Sequence, residues 1–487
     1  MDFIAGSWSE TATPDGSIED RSPADLSMLL GRYPWAVSQV DRAVEAASKA
    51  QPGFGALPQQ DRARLVRRIG AILKEREEEL ARAIALDVGK PLWEARLEAQ
   101  ACTAKAAITV DEGLKLVSTF AAPGHAGAEC RFRPLGVLGV LGPFNFPVHL
   151  PNGHILPALA CGNAVVFKPS EIAPHAAEVY GRCLEDAQLP RGVFNLVQGG
   201  PAVGAALGAH PGVDGILFTG SWNVGQAIER ANQGRTKLLA LEMGGKNAAV
   251  VLADADIGKA AYDVLFSAFV SAGQRCTAAS RAIVVGDARG FAVRIAKLAE
   301  KLSIGHPLDE GVFMGPLASP AALEKFEQGV RGSGAETILE TRRLEPRGLK
   351  GCYASPSVHF VEQRRGTPYE REELFGPDLA VYAAASEEEA LEIANATDYG
   401  LAASVHTHSE ETFERCQRAL ACGVVNWNAP TVGASGRLPF GGLKRSGNYR
   451  PAALWSPLYC AAPVAVMRGE PTLDHRKLAP GVVWVDE

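Results

Sequence analysis

Val137-Leu-Gly-Val-Leu-Gly-Pro-Phe-Asn-Phe-Pro147, then Ala164-Val-Val-Phe-Lys-Pro-Ser-Glu171, then Gly215-Ile-Leu-Phe-Thr-Gly-Ser221 decide the fold. Each opens on a short apolar, β-rich run, at 137–141, 164–167 and 215–218, and a fourth lies at 193–197. Helix-like segments of roughly ten to twenty residues separate them, and such alternation predicts a parallel, doubly wound α/β sheet. Upstream, Leu65, Ile69, Ile72, Leu80 and Ile84 recur at helical spacing. This predicts one amphipathic helix over 61–88, stopped by Gly89 and Pro91. Downstream, a second α/β stretch begins near 247–252 and becomes less regular after about 330. The tail from about 455 has few helical signals before 482–485 and is expected to pair with another element instead of forming a core.

Length and composition fit a multidomain soluble enzyme. The chain has 487 residues, 47% hydrophobic and 21% charged, enough for two or three cores. Its 49 basic and 55 acidic residues give a net charge of −6, without the basic excess that a phosphate backbone demands. Nucleic acid is not an expected partner. The 9 cysteines are scattered and form no Cys-x-x-Cys pair, a pattern of reduced thiols. No basic leader with an apolar core opens the chain, and no apolar run reaches membrane-spanning length. The expectation is a cytoplasmic protein with no membrane partner and no metal.

Four segments carry candidate chemistry. Ser271-Ala-Gly-Gln-Arg-Cys-Thr277 sets Cys276 in a glycine-containing polar context, where it reads as a nucleophile, although a lone cysteine is more often a small buried apolar residue. Leu239-Ala-Leu-Glu-Met-Gly-Gly-Lys246 ends a β-rich run on Glu242 before a glycine pair. That carboxylate reads either as a general base or as a turn and cap residue. Asn145, fixed between Pro143 and Pro147, reads as an oxyanion-stabilising amide or an ordinary turn asparagine. Lys168 with Glu171, and Gly220, Ser221 and Gly225 in Phe218-Thr-Gly-Ser-Trp-Asn-Val-Gly225, stand where a doubly wound sheet binds ribose and pyrophosphate. The GxGxxG fingerprint is absent.

Taken together and in order, these segments resemble the aldehyde dehydrogenase superfamily over nearly the whole chain. Glu373-Leu-Phe-Gly-Pro377 and Pro439-Phe-Gly-Gly442 extend the likeness. Within the superfamily the chain is most similar to the bacterial succinylglutamate semialdehyde dehydrogenases of arginine degradation. Three stretches carry that likeness: 142–155, 267–277, and 423–428 with 446–451. Two departures stand out: Lys246 occupies a position where that subfamily usually has asparagine, and the loop 429–438 differs.

The resemblance implies NAD-dependent oxidation of an aldehyde to a carboxylate through a Cys276 thioester, with Asn145 holding the oxyanion and Glu242 activating water. It implies that Glu373 and Phe375 position the nicotinamide ribose and ring, and that a succinylglutamate semialdehyde is the substrate. Another semialdehyde or an aliphatic aldehyde, a CoA-acylating dehydrogenase and a non-catalytic relative remain the alternatives. Arg281 and Arg437 are the candidate partners of substrate carboxylates, each also readable as a plain surface arginine. The implied architecture is a Rossmann-type NAD-binding domain (1–118 and 142–243), an α/β catalytic domain (244–440) and an oligomerisation region (119–141 and 441–487). A homodimer or tetramer is expected.

Overall fold

The computed structural model describes residues 1–485. Val137–Leu141 and Ala164–Lys168 are buried at every position, as strands covered on both faces must be. They lie in the middle of a seven-stranded sheet. Across it run Leu238–Met243, Gly215–Gly220, Val137–Leu141, Ala164–Lys168 and Phe194–Leu196, all parallel. Asp2–Ile4 and Ser7–Ser9 extend one edge antiparallel. The connection from Val137–Leu141 runs toward one edge and that from Gly215–Gly220 toward the other, so the strand order reverses between them. That reversal opens a crevice at the strands' carboxyl ends, where doubly wound sheets bind nucleotides.

The second seven-stranded sheet begins at Asn247–Val251, four residues after the first sheet's last strand ends at Met243. Its parallel strands are Ser357–Val361, Asp378–Ala384, Ala279–Val285, Asn247–Val251, Ala402–His406 and Val424–Trp427, with Glu336–Leu339 antiparallel at one edge. Apolar clusters fill both faces of each sheet.

The helix expected over 61–88 is two helices, Gln59–Glu75 and Glu77–Val88. Charge explains the break. Lys74 sits in the last turn of the first helix, and Glu77, Glu78 and Glu79 crowd the first turn of the second, so each dipole end meets the charge that stabilises it. Gly89 then closes the second helix at φ 75°, a left-handed cap that glycine tolerates. Helix Leu92–Ala107 packs on both of these and on His149–Ala160, and runs on into a π-helical turn, Ile108–Glu112.

A three-stranded sheet joins Phe120–Ala121, Ala128–Pro134 and Ala461–Met467. The tail from about 455 pairs with another element as expected, through Ala461–Met467 on Ala128–Pro134. Val137–Leu141, which the sequence reading placed both in the first sheet and at the end of the projecting region, belongs to the first sheet. Among the described residues no helix is long and apolar enough to cross a membrane.

Candidate active site

The nucleophile segment leaves helix Ile257–Phe269 through a tight bend. Ser271 and Ala272 have φ of 56° and 51°, a left-handed conformation that side chains adopt at a cost and that surrounding contacts must maintain. At Gly273, φ 68°, an added Cβ would lie 2.2 Å from the Gly376 carbonyl oxygen, so the approach of the two loops requires glycine. Cys276 emerges half-buried just before strand Ala279–Val285. Its carbonyl accepts from Asn247 Nδ2 at 2.7 Å, and the same amide nitrogen reaches the Ala278 carbonyl at 2.9 Å. Asn247 Oδ1 accepts from Ala402 N at 3.0 Å, and Thr431 Oγ1 donates to the Thr277 carbonyl at 2.7 Å. Burial, then the negative charges of Glu373 and Glu242, push the Cys276 thiol up to about 12, against the pull of Arg275.

Asn145 follows strand Val137–Leu141 and is buried. Its Nδ2 donates to the Gln274 carbonyl at 2.9 Å, which joins the asparagine loop to the nucleophile loop. Primary amides carry two donor hydrogens, so one is left for a ligand. The Phe144 ring meets Phe375 edge-on at 5.7 Å.

Glu242 ends strand Leu238–Met243, held by Leu241 N donating to Asn448 Oδ1 at 3.0 Å and Met243 N donating to the Ser446 carbonyl at 2.9 Å. Its Oε2 is buried without a partner, and burial pushes the carboxyl well above the ordinary range. Glu373 differs. Its Oε1 accepts from Gly245 N at 3.1 Å, and a Cβ on Gly244 would lie 2.1 Å from its Oε2. The Glu373 carboxyl is pushed up to about 7 by burial, partly offset by the Gly245 donor and by Lys325 and Lys246.

At the first sheet's crevice, Lys168 Nζ contacts Glu171 Oε2 at 3.0 Å; the lysine is almost fully buried and the carboxylate half-exposed. Burial lowers the Lys168 pKa while Glu171 opposes the shift. Ser221 caps helix Trp222–Ala231, its Oγ accepting from Val224 N at 3.4 Å. A Cβ on Gly225 would lie 2.4 Å from Met243 Sδ, and one on Gly220 2.5 Å from the Phe218 ring. Both glycines let the helix start close over the strands, so that its amides face the crevice where a pyrophosphate sits in such sheets. A buried lysine, a half-exposed carboxylate and a helix start facing the crevice fit a dinucleotide.

The two arginines expected to meet substrate part company. Arg281 is buried; it donates to the Lys246 carbonyl at 3.1 and 2.5 Å, and to those of Ile393 and Ala394 at 2.9 Å each. Its donors are committed to backbone, and burial pushes it down to about 10. Arg281 is a strut of the second sheet, not a substrate ligand. Arg437 is exposed and pairs through Nε with Glu112 at 2.8 Å, bridging the loop 429–438 to the π-helical turn. Lys246, the departure from subfamily pattern, is buried with Nζ on the Tyr369 carbonyl at 2.8 Å. Sequence reasoning missed Asn247, whose one signal was its place just after the glycine pair. It also missed Glu94, which carried none.

The aldehyde dehydrogenase family profile matches residues 8–456. N-succinylglutamate 5-semialdehyde dehydrogenase of Chromobacterium violaceum is 41% identical, over 99% of this chain and 99% of that protein. The same enzyme of Hahella chejuensis is 42% identical over 99% and 98%. Among solved structures, 1-pyrroline-5-carboxylate dehydrogenase from Thermus with bound NAD superposes with a TM-score of 0.90, at 32% identity, over 96% of this chain and 92% of that one. This chain belongs to the aldehyde dehydrogenase family.

Proposed function

We propose that this chain oxidises N-succinylglutamate 5-semialdehyde to N-succinylglutamate with NAD. The observation that carries the reading is the convergence of Cys276, Asn145 and Glu242 from three separate strand ends. The Asn145–Gln274 contact of 2.9 Å and the two carboxylates acting on the thiol mark it. The full-length likeness to enzymes of that name supports the substrate.

When bound, NAD would supply the hydride acceptor; Lys168 and Glu171 would hold its adenosine ribose, the start of helix Trp222–Ala231 its pyrophosphate, and Glu373 and Phe375 its nicotinamide end. The Cys276 thiolate adds to the aldehyde carbon, and the carbonyl oxygen becomes an alkoxide. The free hydrogen of Asn145 Nδ2 and the Cys276 backbone N–H hold that alkoxide. Each such donor contributes about 3 kcal/mol in acyl-transfer sites. Loss of hydride from the carbon leaves the acyl group on sulfur. Glu242 then takes a proton from water, the hydroxide oxygen bonds the acyl carbon, the C–S bond breaks and the carboxylic product leaves. Burial keeps Glu242 well above the ordinary carboxylate range, which makes it a stronger base toward water than an ordinary carboxylate. Arg437, exposed on the loop 429–438, is the proposed partner for a substrate carboxylate.

The protein works in the cytoplasm as a homodimer or tetramer, with the open edge of Ala461–Met467 joining a second copy. Ranking aldehydes by kcat/KM tests the substrate. Succinylglutamate semialdehyde should lead succinate semialdehyde, glutamate semialdehyde and straight-chain aliphatics; an aliphatic at the head of the ranking would refute it.

A further inference from the structure

Two carboxylates on helix Leu92–Ala107 take no part in this chemistry, yet Glu94 is 1% and Glu98 2% exposed. Four residues apart, they lie one above the other on a single helix face. Glu94 Oε1 accepts from Ser271 Oγ and, at 2.6 Å, from Arg275 Nη2, while Arg275 Nε reaches Ser271 Oγ at 2.8 Å. Ser271 is the left-handed residue of the nucleophile bend, and Arg275 adjoins Cys276. Glu98 grips the other loop. Its Oε1 accepts from Val148 N and His149 N at 3.1 Å each, satisfying amides at the start of helix His149–Ala160, groups that have no partner within the helix itself. Its Oε2 accepts from Lys90 at 2.5 Å.

Between the two grips, the Phe146 ring meets two cations, Lys90 Nζ at 3.6 Å and Arg275 Cζ at 5.1 Å from its centroid. Phe146 directly follows Asn145. We infer that helix Leu92–Ala107 sets the distance between the nucleophile and the oxyanion amide, with Glu94 as the positioning residue of the Cys276 loop and Glu98 that of the Asn145 loop. The Asn145 loop leaves a strand of the first sheet and the Cys276 loop leads into a strand of the second, so without a common frame their separation would follow every small shift between those sheets. Burial of Glu94 opposes its ionisation, but Arg275 and Lys90 with the Ser271 donor prevail and hold it below the ordinary carboxylate range. The grip is therefore charged under working conditions.

The inference rests on the thioester reading of Cys276, and a missing burst of reduced cofactor in the unaltered enzyme would sink that reading alone. Given a burst, Glu94→Gln and Glu98→Gln should each slow it about ten- to hundredfold, the size expected for a displacement near 1 Å, with KM for NAD and aldehyde little changed. Because both act on one distance, the double variant should be no slower than the slower single. Alkylation of Cys276 by iodoacetamide needs no oxyanion donor. It should proceed at the unaltered rate in Glu98→Gln and change in Glu94→Gln. A burst at full rate in either variant, multiplying effects in the double, or altered alkylation in Glu98→Gln would overturn the proposal. Should the glutamine variants not fold, Glu94→Asp and Glu98→Asp keep the charge and shorten the reach; full-rate bursts in both would overturn it equally.

Discussion

Asn145 Nδ2 and the Gln274 carbonyl oxygen lie 2.9 Å apart, and this one hydrogen bond spans the two catalytic loops. It commits one of the amide's two hydrogens, and in the proposed mechanism the second meets the charge that develops on the aldehyde oxygen. Asn145→Ala should lower kcat by about 10²–10³-fold, the loss seen for a single oxyanion donor. NAD affinity by titration should hold, and a loss below tenfold would give the asparagine a purely structural role.

Glu242 makes a two-part prediction. Glu242→Gln should keep a burst of about one equivalent of reduced cofactor per site and then turn over slowly, since water activation suffers more than acylation. Its effect on stability runs the other way. A carboxyl raised by burial favours folding while protonated, and that contribution is lost as pH climbs from the ordinary carboxylate range through the raised value. The glutamine variant should therefore melt above the unaltered protein at pH 8 and converge with it in acid. Equal melting curves at pH 8 would mean that Glu242 is solvated or paired.

For the thiol, the causes of the shift to about 12 are burial, then Glu373, then Glu242. Glu373 is itself ionised only above about 7. In the cofactor-free protein Glu373→Gln should move the pH profile of iodoacetamide alkylation to lower pH, with the gain appearing above neutrality. An unmoved profile would remove Glu373 from the thiol's surroundings.

At the nucleotide crevice, Glu171 stands half-exposed beside Lys168, and in the proposed reading it bonds ribose hydroxyls and repels a 2′-phosphate. NAD should exceed NADP in kcat/KM, and Glu171→Gln should narrow the ratio by raising NADP use. Equal use of both cofactors by the unaltered protein would contradict this placement.

The arginines separate stability from specificity. Arg281→Met strips buried carbonyls of their donors and should cost about 2–4 kcal/mol of stability, read as a lower Tm, with the preference among aldehydes unchanged. Arg437→Gln should leave Tm in place, because its pair with Glu112 is exposed and such pairs contribute little. It should lower kcat/KM for the anionic semialdehyde about ten- to hundredfold and spare neutral aldehydes. Equal losses on both substrate classes would rule out a carboxylate contact.

The residues whose meaning is local could be read directly from the chain. Buried runs such as 137–141 and 164–167 marked interior strands because a strand covered on both faces must be apolar throughout. Cys276, Glu242 and Asn145 stood out by the glycines and prolines beside them. The single helix read over 61–88 failed at Arg76, because apolar spacing is blind to a break that keeps the same face inward; the run from Lys74 to Glu79 was the signal. What no local reading reached were partners distant along the chain. Arg281 resembled any surface arginine until the carbonyls of Lys246, Ile393 and Ala394 closed around it. Glu94 gains its meaning from Arg275, 181 residues away. A charged side chain's role is set by which opposite charge or carbonyl shares its low-dielectric surroundings, and that neighbourhood exists only once loops from distant parts of the chain have closed on one another.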